Sequence, residues 1–146
     1  MKQFTKNFSY EELIASATAK RLGINNTPTP EEEEKLKRLA VEVLQPIRDK
    51  WKSPIIINSA YRSEALNKAV GGVPTSQHRL GEAADIRPNK MTEGGKLYRM
   101  IQNMVNSGEL NVGQCIWEYG NSKNPQWIHL SLPRKNKPNN QFFKIK

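Results

Sequence analysis

The first part of the chain places apolar and polar residues with a helical period. Ser9 begins a capping-box pattern and predicts a short helix that continues to about Ala19. A longer helix is predicted from Thr29-Pro30, where a capping residue and a first-turn proline precede four glutamates. Acidic side chains at this position suit the positive end of the helix dipole. We expect Pro46 to kink this second helix near its end.

Two later stretches also predict helices. Ser63 can cap a short helix from Glu64 to Val70, which a pair of glycines ends. Thr92 can cap a longer helix, whose apolar side chains recur at helical spacing as far as Val105.

Shorter apolar runs predict the strands. Ile55–Ile57 is β-branched and predicts a short central strand, and residues 81–87 alternate loosely, as in a strand packed among neighbours. Two aromatic-rich runs, 112–119 and 126–132, are separated by turn residues and predict a hairpin. Because strict β-helix-β alternation is lacking, we expect an α+β fold, an antiparallel sheet with helices packed on one side.

The composition is typical of a single domain. The chain has 146 residues, 36% of them hydrophobic and 25% charged, enough for one core without disulfides. We place this core at about residues 9–132 and regard residues 133–146 as a basic tail. The single cysteine, Cys115, lies in an apolar run and is expected to be a small buried hydrophobe. No run of 18 apolar residues occurs, so no membrane span is predicted.

A net charge of +9 narrows the range of partners. A basic surface attracts polyanions, which include nucleic acids and the anionic polymers of cell walls. Since no basic stripe interleaved with aromatic residues occurs, we expect no specific nucleic-acid binding.

The chain has only two histidines, and both lie in segments that resemble the functional ends of strands. His78 precedes the strand that carries Asp85, and His129 lies in the second arm of the hairpin. Two imidazoles and one carboxylate suit zinc and leave a fourth position open for water. Spacing alone is weak support, because a lone histidine is more often structural than a ligand. Glu118, in the first arm of the hairpin, is either a base beside this site or an ordinary surface carboxylate.

Three motifs follow one another in the chain: Ser59-Ala60-Tyr61-Arg62-Ser63, the run from Ser76 to Ile86, and Trp127-Ile128-His129. Together they closely resemble the zinc D-alanyl-D-alanine carboxypeptidase family. That family includes bacterial cell-wall peptidases, dipeptidases of vancomycin resistance and phage endolysins. The resemblance runs from roughly Leu44 to Leu132 and implies a fold similar to the signalling domain of hedgehog proteins.

The resemblance implies roles for five residues. His78, Asp85 and His129 would hold one zinc ion. Arg62 would orient and polarise the scissile carbonyl, a task that suits a permanently charged guanidinium, although a structural salt bridge is the alternative. Ser76 would help to hold the substrate.

The sequence departs from the family pattern at Gln126. Many members carry the catalytic acid three residues before the last histidine, and an amide at that position cannot accept a proton. Other relatives place the acid on the preceding strand, and Glu118 fits that arrangement. We therefore expect Glu118 to be the general base, acting on a zinc-activated water.

These features predict a zinc metallopeptidase that cleaves peptidoglycan stem peptides, at D-Ala-D-Ala or at L-Ala-D-Glu. The alternative is a catalytically weak, zinc-stabilised module that binds the cell wall or a protein. We expect a monomer. The amino terminus carries no apolar stretch, so no signal peptide is predicted. Such a protein would be made in the cytoplasm and act at the wall after release, as phage or prophage proteins do, unless its signal has been removed.

Overall fold

A computed structural model describes residues 2–146, which form six α-helices and five strands. The helices are α1 (Tyr10–Ile14), α2 (Ala17–Leu22), α3 (Pro30–Leu39), α4 (Gln45–Trp51), α5 (Glu64–Ala69) and α6 (Gly94–Asn106). The strands are β1 (Ile55–Ser59), β2 (Ala83–Pro88), β3 (Gln114–Glu118), β4 (Trp127–Ser131) and β5 (Gln141–Ile145). Within the described residues, every helix is too short or too polar to cross a bilayer.

The strands form one sheet in the order β1-β2-β4-β3-β5. All neighbours pair antiparallel except β5, which runs parallel to β3. The chain is therefore a single small α+β domain with a mostly antiparallel sheet, as the sequence predicts. The prediction that Ile55–Ile57 is a central strand is wrong, because β1 lies at the sheet edge. Ile56 and Ile57 are accordingly only half-buried.

The two faces of the sheet have different environments. Side chains alternate along each strand, so every second residue points to the same face. One face packs against the helices and forms much of the core, and α6 contacts both β2 and β4. The strand residues in that core include Ala84, Ile86, Cys115, Trp117, Ile128 and Leu130. The opposite face carries Asp85, Glu118 and His129.

The long second helix begins at the predicted residues, and its hydrogen-bond pattern changes near Pro46. The Thr29 hydroxyl accepts a hydrogen bond from the Glu32 amide, and the Glu32 carboxylate accepts one from the Thr29 amide, which completes a capping box. A π-helical turn over Ala40–Leu44 lies where the kink is predicted, and Gln45 separates it from Pro46. In this turn the Gln45 amide donates to the carbonyl of Ala40, five residues back, and Pro46, which has no N–H, supplies no donor at the next position.

Two predicted helix boundaries near caps are wrong. The first helix ends at Ile14, because the Ser16 hydroxyl accepts from the Ala19 amide and begins a separate helix. Thr92 does not cap α6 and lies in a 3-10 turn. Instead, the side chain of Asn124 reaches from a distant loop and accepts a hydrogen bond of 2.9 Å from the Gly95 amide.

Residues 133–146, which the composition suggests are a basic tail, contain β5. Phe142 packs edge-to-face on Tyr98, with 5.7 Å between the ring centroids. The Lys144 ammonium lies 4.3 Å from the centroid of the Trp117 ring. These contacts anchor the fifth strand to the helix-covered side of the sheet.

Candidate metal centre

Three segments bring the two histidines and the aspartate together. The register of β2 against β4 places Asp85 directly opposite His129. His78 lies in a 3-10 turn, Gln77–Leu80, that precedes β2. This turn is held from both sides: the Ser76 hydroxyl accepts from the His78 amide at 3.2 Å, and the His78 carbonyl accepts from the Arg62 amide at 3.0 Å.

The three side chains meet at one carboxylate oxygen. Oδ1 of Asp85 lies 3.0 Å from Nδ1 of His129 and 3.3 Å from Nε2 of His78. One candidate ligand atom from each residue falls within 4.8 Å of the other two. His78 and Asp85 are almost fully buried, with 3% and 6% of their surfaces exposed. The structure therefore brings the three predicted ligands together.

The donor set fits zinc. Tetrahedral zinc with bonds of about 2.0–2.1 Å separates neighbouring ligand atoms by about 3.3 Å, close to both distances at Asp85. Nδ1 of His78 lies 2.7 Å from the carbonyl oxygen of Ala60. Because a carbonyl only accepts, Nδ1 must carry the proton, and Nε2 is left with its lone pair toward the cluster. Two imidazole nitrogens and one carboxylate oxygen leave a position open.

Asp85 is held in its charged form. Burial alone would raise the pKa of this carboxyl, but the adjacent imidazoles of His129 and His78 outweigh burial and hold the pKa well below its usual range. Its second oxygen, Oδ2, lies 3.5 Å from Nη2 of Arg62.

Arg62 is fixed by three acceptors around its guanidinium. Nε donates to the Ser59 hydroxyl at 3.2 Å, Nη1 to the Asn67 side-chain oxygen at 3.3 Å, and Nη2 faces Asp85. Burial lowers the pKa of Arg62, while the charges of Asp85 and Glu118 act in the opposite direction. A guanidinium has more N–H groups than these acceptors use, so Arg62 can still donate to a substrate.

Asn67 is a site residue that the sequence analysis missed. It is 2% exposed, and its amide nitrogen donates to the Val73 carbonyl at 2.8 Å while its oxygen holds Arg62. The fit is tight, since a Cβ added to Gly72 would clash with the Asn67 side-chain oxygen. The only sign of this role in the sequence is the position of Asn67 in α5, five residues after Arg62, and that sign is weak.

Glu118 lies on the same face as the cluster. Its Oε2 is 3.8 Å from Nδ1 of His129, and 16% of its side chain is exposed. Burial raises the pKa of Glu118, and the nearby negative charge of Asp85 adds to the increase. The buried indole nitrogen of Trp127 acts in the opposite direction and favours the charged form of Glu118, although this nitrogen completes no hydrogen bond within residues 2–146.

Gln126 occupies different surroundings. Its side chain is exposed beside Met91, Gly120 and Pro125, and its backbone amide donates to the Glu118 carbonyl at 3.0 Å. The carboxylate that approaches the cluster from the hairpin is therefore that of Glu118.

An α+β sheet that gathers two histidines, an aspartate, a glutamate and an arginine on one face has the arrangement of a zinc-dependent peptidase. Residues 6–131 match the family described as Peptidase M15. Because the match covers most of the chain, the chain belongs to this family of zinc D-Ala-D-Ala carboxypeptidases and related peptidases. A search of curated proteins finds no match to the chain.

Proposed function

We propose that the chain is a zinc metallopeptidase that hydrolyses peptide bonds in peptidoglycan stem peptides. The observation that carries the proposal is the convergence of His78, Asp85 and His129, with Glu118 beside them. The zinc ligands would be Nε2 of His78, Oδ1 of Asp85 and Nδ1 of His129, the atoms that face one another. A zinc ion held by these residues would lower the pKa of a coordinated water and polarise a carbonyl oxygen.

Glu118 is the proposed general base. Its carboxylate reaches the cluster from β3 without being one of the three closest donors, so it is free to take a proton from the attacking water. It can then deliver that proton to the leaving amine. The partly buried position that raises its pKa also brings it closer to the value that suits proton transfer near neutral pH.

Arg62 and Ser76 are proposed to act on the substrate. The remaining N–H groups of Arg62 would donate to the scissile carbonyl oxygen as negative charge develops on it. The Ser76 hydroxyl already accepts a hydrogen bond from the His78 amide, so its proton remains available for a substrate acceptor. The net charge of +9 favours association with an anionic cell wall.

A zinc titration combined with a hydrolysis assay tests this proposal. We expect one zinc per chain by equilibrium dialysis and the release of new amino groups from soluble muropeptides. His129→Ala should lose both zinc and hydrolysis. As a matched control, Gln126→Ala should keep both, since Gln126 is exposed outside the cluster. A chain that hydrolyses muropeptides fully without zinc would refute the proposal, and wall binding without hydrolysis would favour the non-catalytic alternative.

A further inference from the structure

A cavity of about 250 Å³ opens beside the start of β3 and β5. Gln77, the neighbour of His78, lines one side. Gln114 and Gln141, which pair across β3 and β5, line another. Alternation along β3 puts Gln114 on the same face as Glu118. The cavity therefore lies on the face of the sheet that carries the metal centre.

Strand geometry gives the distance between the cavity and the cluster. Ile116 lies opposite His129, and Gln114 is two residues further along β3. Two residues of strand span about 7 Å and neighbouring strands lie about 5 Å apart, which puts Gln114 about 9 Å from His129. An extended peptide covers that distance in about two or three residues. A substrate cleaved at the cluster can thus place a nearby group in the cavity.

The lining of the cavity is cationic. Nε and Nη2 of Arg134 both donate to Oε1 of Glu82, at 3.0 and 2.9 Å, which leaves Nη1 for another acceptor. Lys35 lies 3.4 Å from the other oxygen of Glu82, so the charge of this carboxylate is already balanced. Lys137 lines the cavity with an exposed side chain and, in the part of the chain that the structure describes, forms no ion pair.

The basic wall lies outside the family match. Peptidase M15 similarity ends at residue 131, whereas Arg134, Lys137, Asn139 and Gln141 line the cavity. This wall is kept in place by the Arg134 amide, which donates to the Asn139 side-chain oxygen at 3.0 Å, and by the pairing of β5 with β3. The wall is therefore ordered by its own contacts and lies outside the matched residues.

We propose that this cavity is a substrate subsite that binds a carboxylate of the stem peptide, two or three residues from the cleaved bond. The proposal rests on the peptidase function proposed above. A guanidinium N–H, a lysine ammonium and several side-chain amides are donors that a carboxylate accepts, and charge-assisted bonds are the stronger ones. Stem peptides can supply this group from the α-carboxylate of D-glutamate or from the carboxyl terminus.

Matched peptides distinguish these two sources. Hydrolysis is measured on synthetic stem peptides with the D-glutamate α-carboxylate free or amidated, and on a second pair with the carboxyl terminus free or amidated. In the pair whose carboxylate binds in the cavity, we expect amidation to raise KM about fivefold with little change in kcat. Lys137→Met should raise KM for the free acid by a similar factor and leave the amidated peptide unaffected. Lys135→Met, an exposed lysine in the same segment, should change neither.

The outcomes separate this inference from the proposed function. If amidation has no effect in either pair, or if Lys137→Met and Lys135→Met behave alike, the subsite is refuted while the peptidase stands. If the chain hydrolyses none of the four peptides, the peptidase proposal has failed, and calorimetric titration of the full chain with the same peptides tests the cavity alone. Equal dissociation constants for free and amidated forms would then refute the subsite.

Discussion

Replacing Glu118 with glutamine should separate catalysis from metal binding and from stability. The change preserves the size of the side chain and removes its charge, while the three proposed zinc ligands stay intact. Because Glu118 lies 3.8 Å from His129 and is not among the closest donors at the cluster, we expect zinc to bind as in the wild type.

The expected effects have opposite signs for activity and stability. Loss of a general base lowers kcat by about 10²–10⁴-fold, or about 3–5 kcal/mol in the barrier. Burial and the charge of Asp85 raise the pKa of Glu118, which means that its charged form is less favourable in the folded chain than in the unfolded one. Removing that charge should therefore raise the free energy of unfolding of the metal-free chain, by up to about 1 kcal/mol, or about 2–4 °C in Tm.

The assay compares muropeptide hydrolysis, bound zinc and metal-free Tm for Glu118→Gln and for a control, Glu109→Gln. Glu109 is an exposed carboxylate that pairs with Lys50 on the surface, and its replacement should leave hydrolysis unchanged. Substantial hydrolysis by Glu118→Gln would show that another group is the base. Loss of zinc from this variant would show instead that Glu118 is a ligand.

Three other perturbations have definite expected results. Asn67→Ala frees Arg62 from one of its acceptors, so kcat/KM should fall about tenfold with zinc retained; unchanged kinetics would mean that Arg62 needs no such support. Burial raises the pKa of the Glu82 carboxyl, but Arg134 and other partners outweigh burial and hold this pKa below its usual range. The charged carboxylate therefore stabilises the folded chain fully above pH 4.5, and this stabilisation is lost as the pH falls through the pKa of the folded chain. Urea unfolding should accordingly show a stability gap between wild type and Glu82→Gln at pH 7 that narrows in acid, and a constant gap would contradict this. Chelation of zinc should lower Tm by several degrees in wild type and leave the Tm of His129→Ala unchanged, because only an intact site gains stability from the metal.

Local signals explain which parts of the fold could be predicted. Thr29 and Ser63 each cap the helix that immediately follows, so their effect depends on neighbouring residues alone. The start of α6 was not predictable in this way, since its Gly95 amide is bound by Asn124, a residue that the fold brings from far along the chain. The edge position of β1 and the pairing of β5 with β3 likewise depend on the order of strands, which local patterns do not specify.

The candidate site shows the same division. The motifs around His78, Asp85 and His129 indicated which residues should meet, and the structure brings these three side chains together. The orientation of each ring could not be predicted, because the Ala60 carbonyl sets the direction of His78 only after folding. Asn67 was missed because its contact with Arg62 also depends on the path of the loop through Val73.

Mass spectrometry of purified peptidoglycan digested with the zinc-loaded chain tests the central claim most directly. We predict stem peptides cleaved at a single type of bond, D-Ala-D-Ala or L-Ala-D-Glu, in the wild-type digest and their absence from the Glu118→Gln digest. A wild-type chain that carries one zinc ion and yields no cleaved stem peptide would contradict the claim.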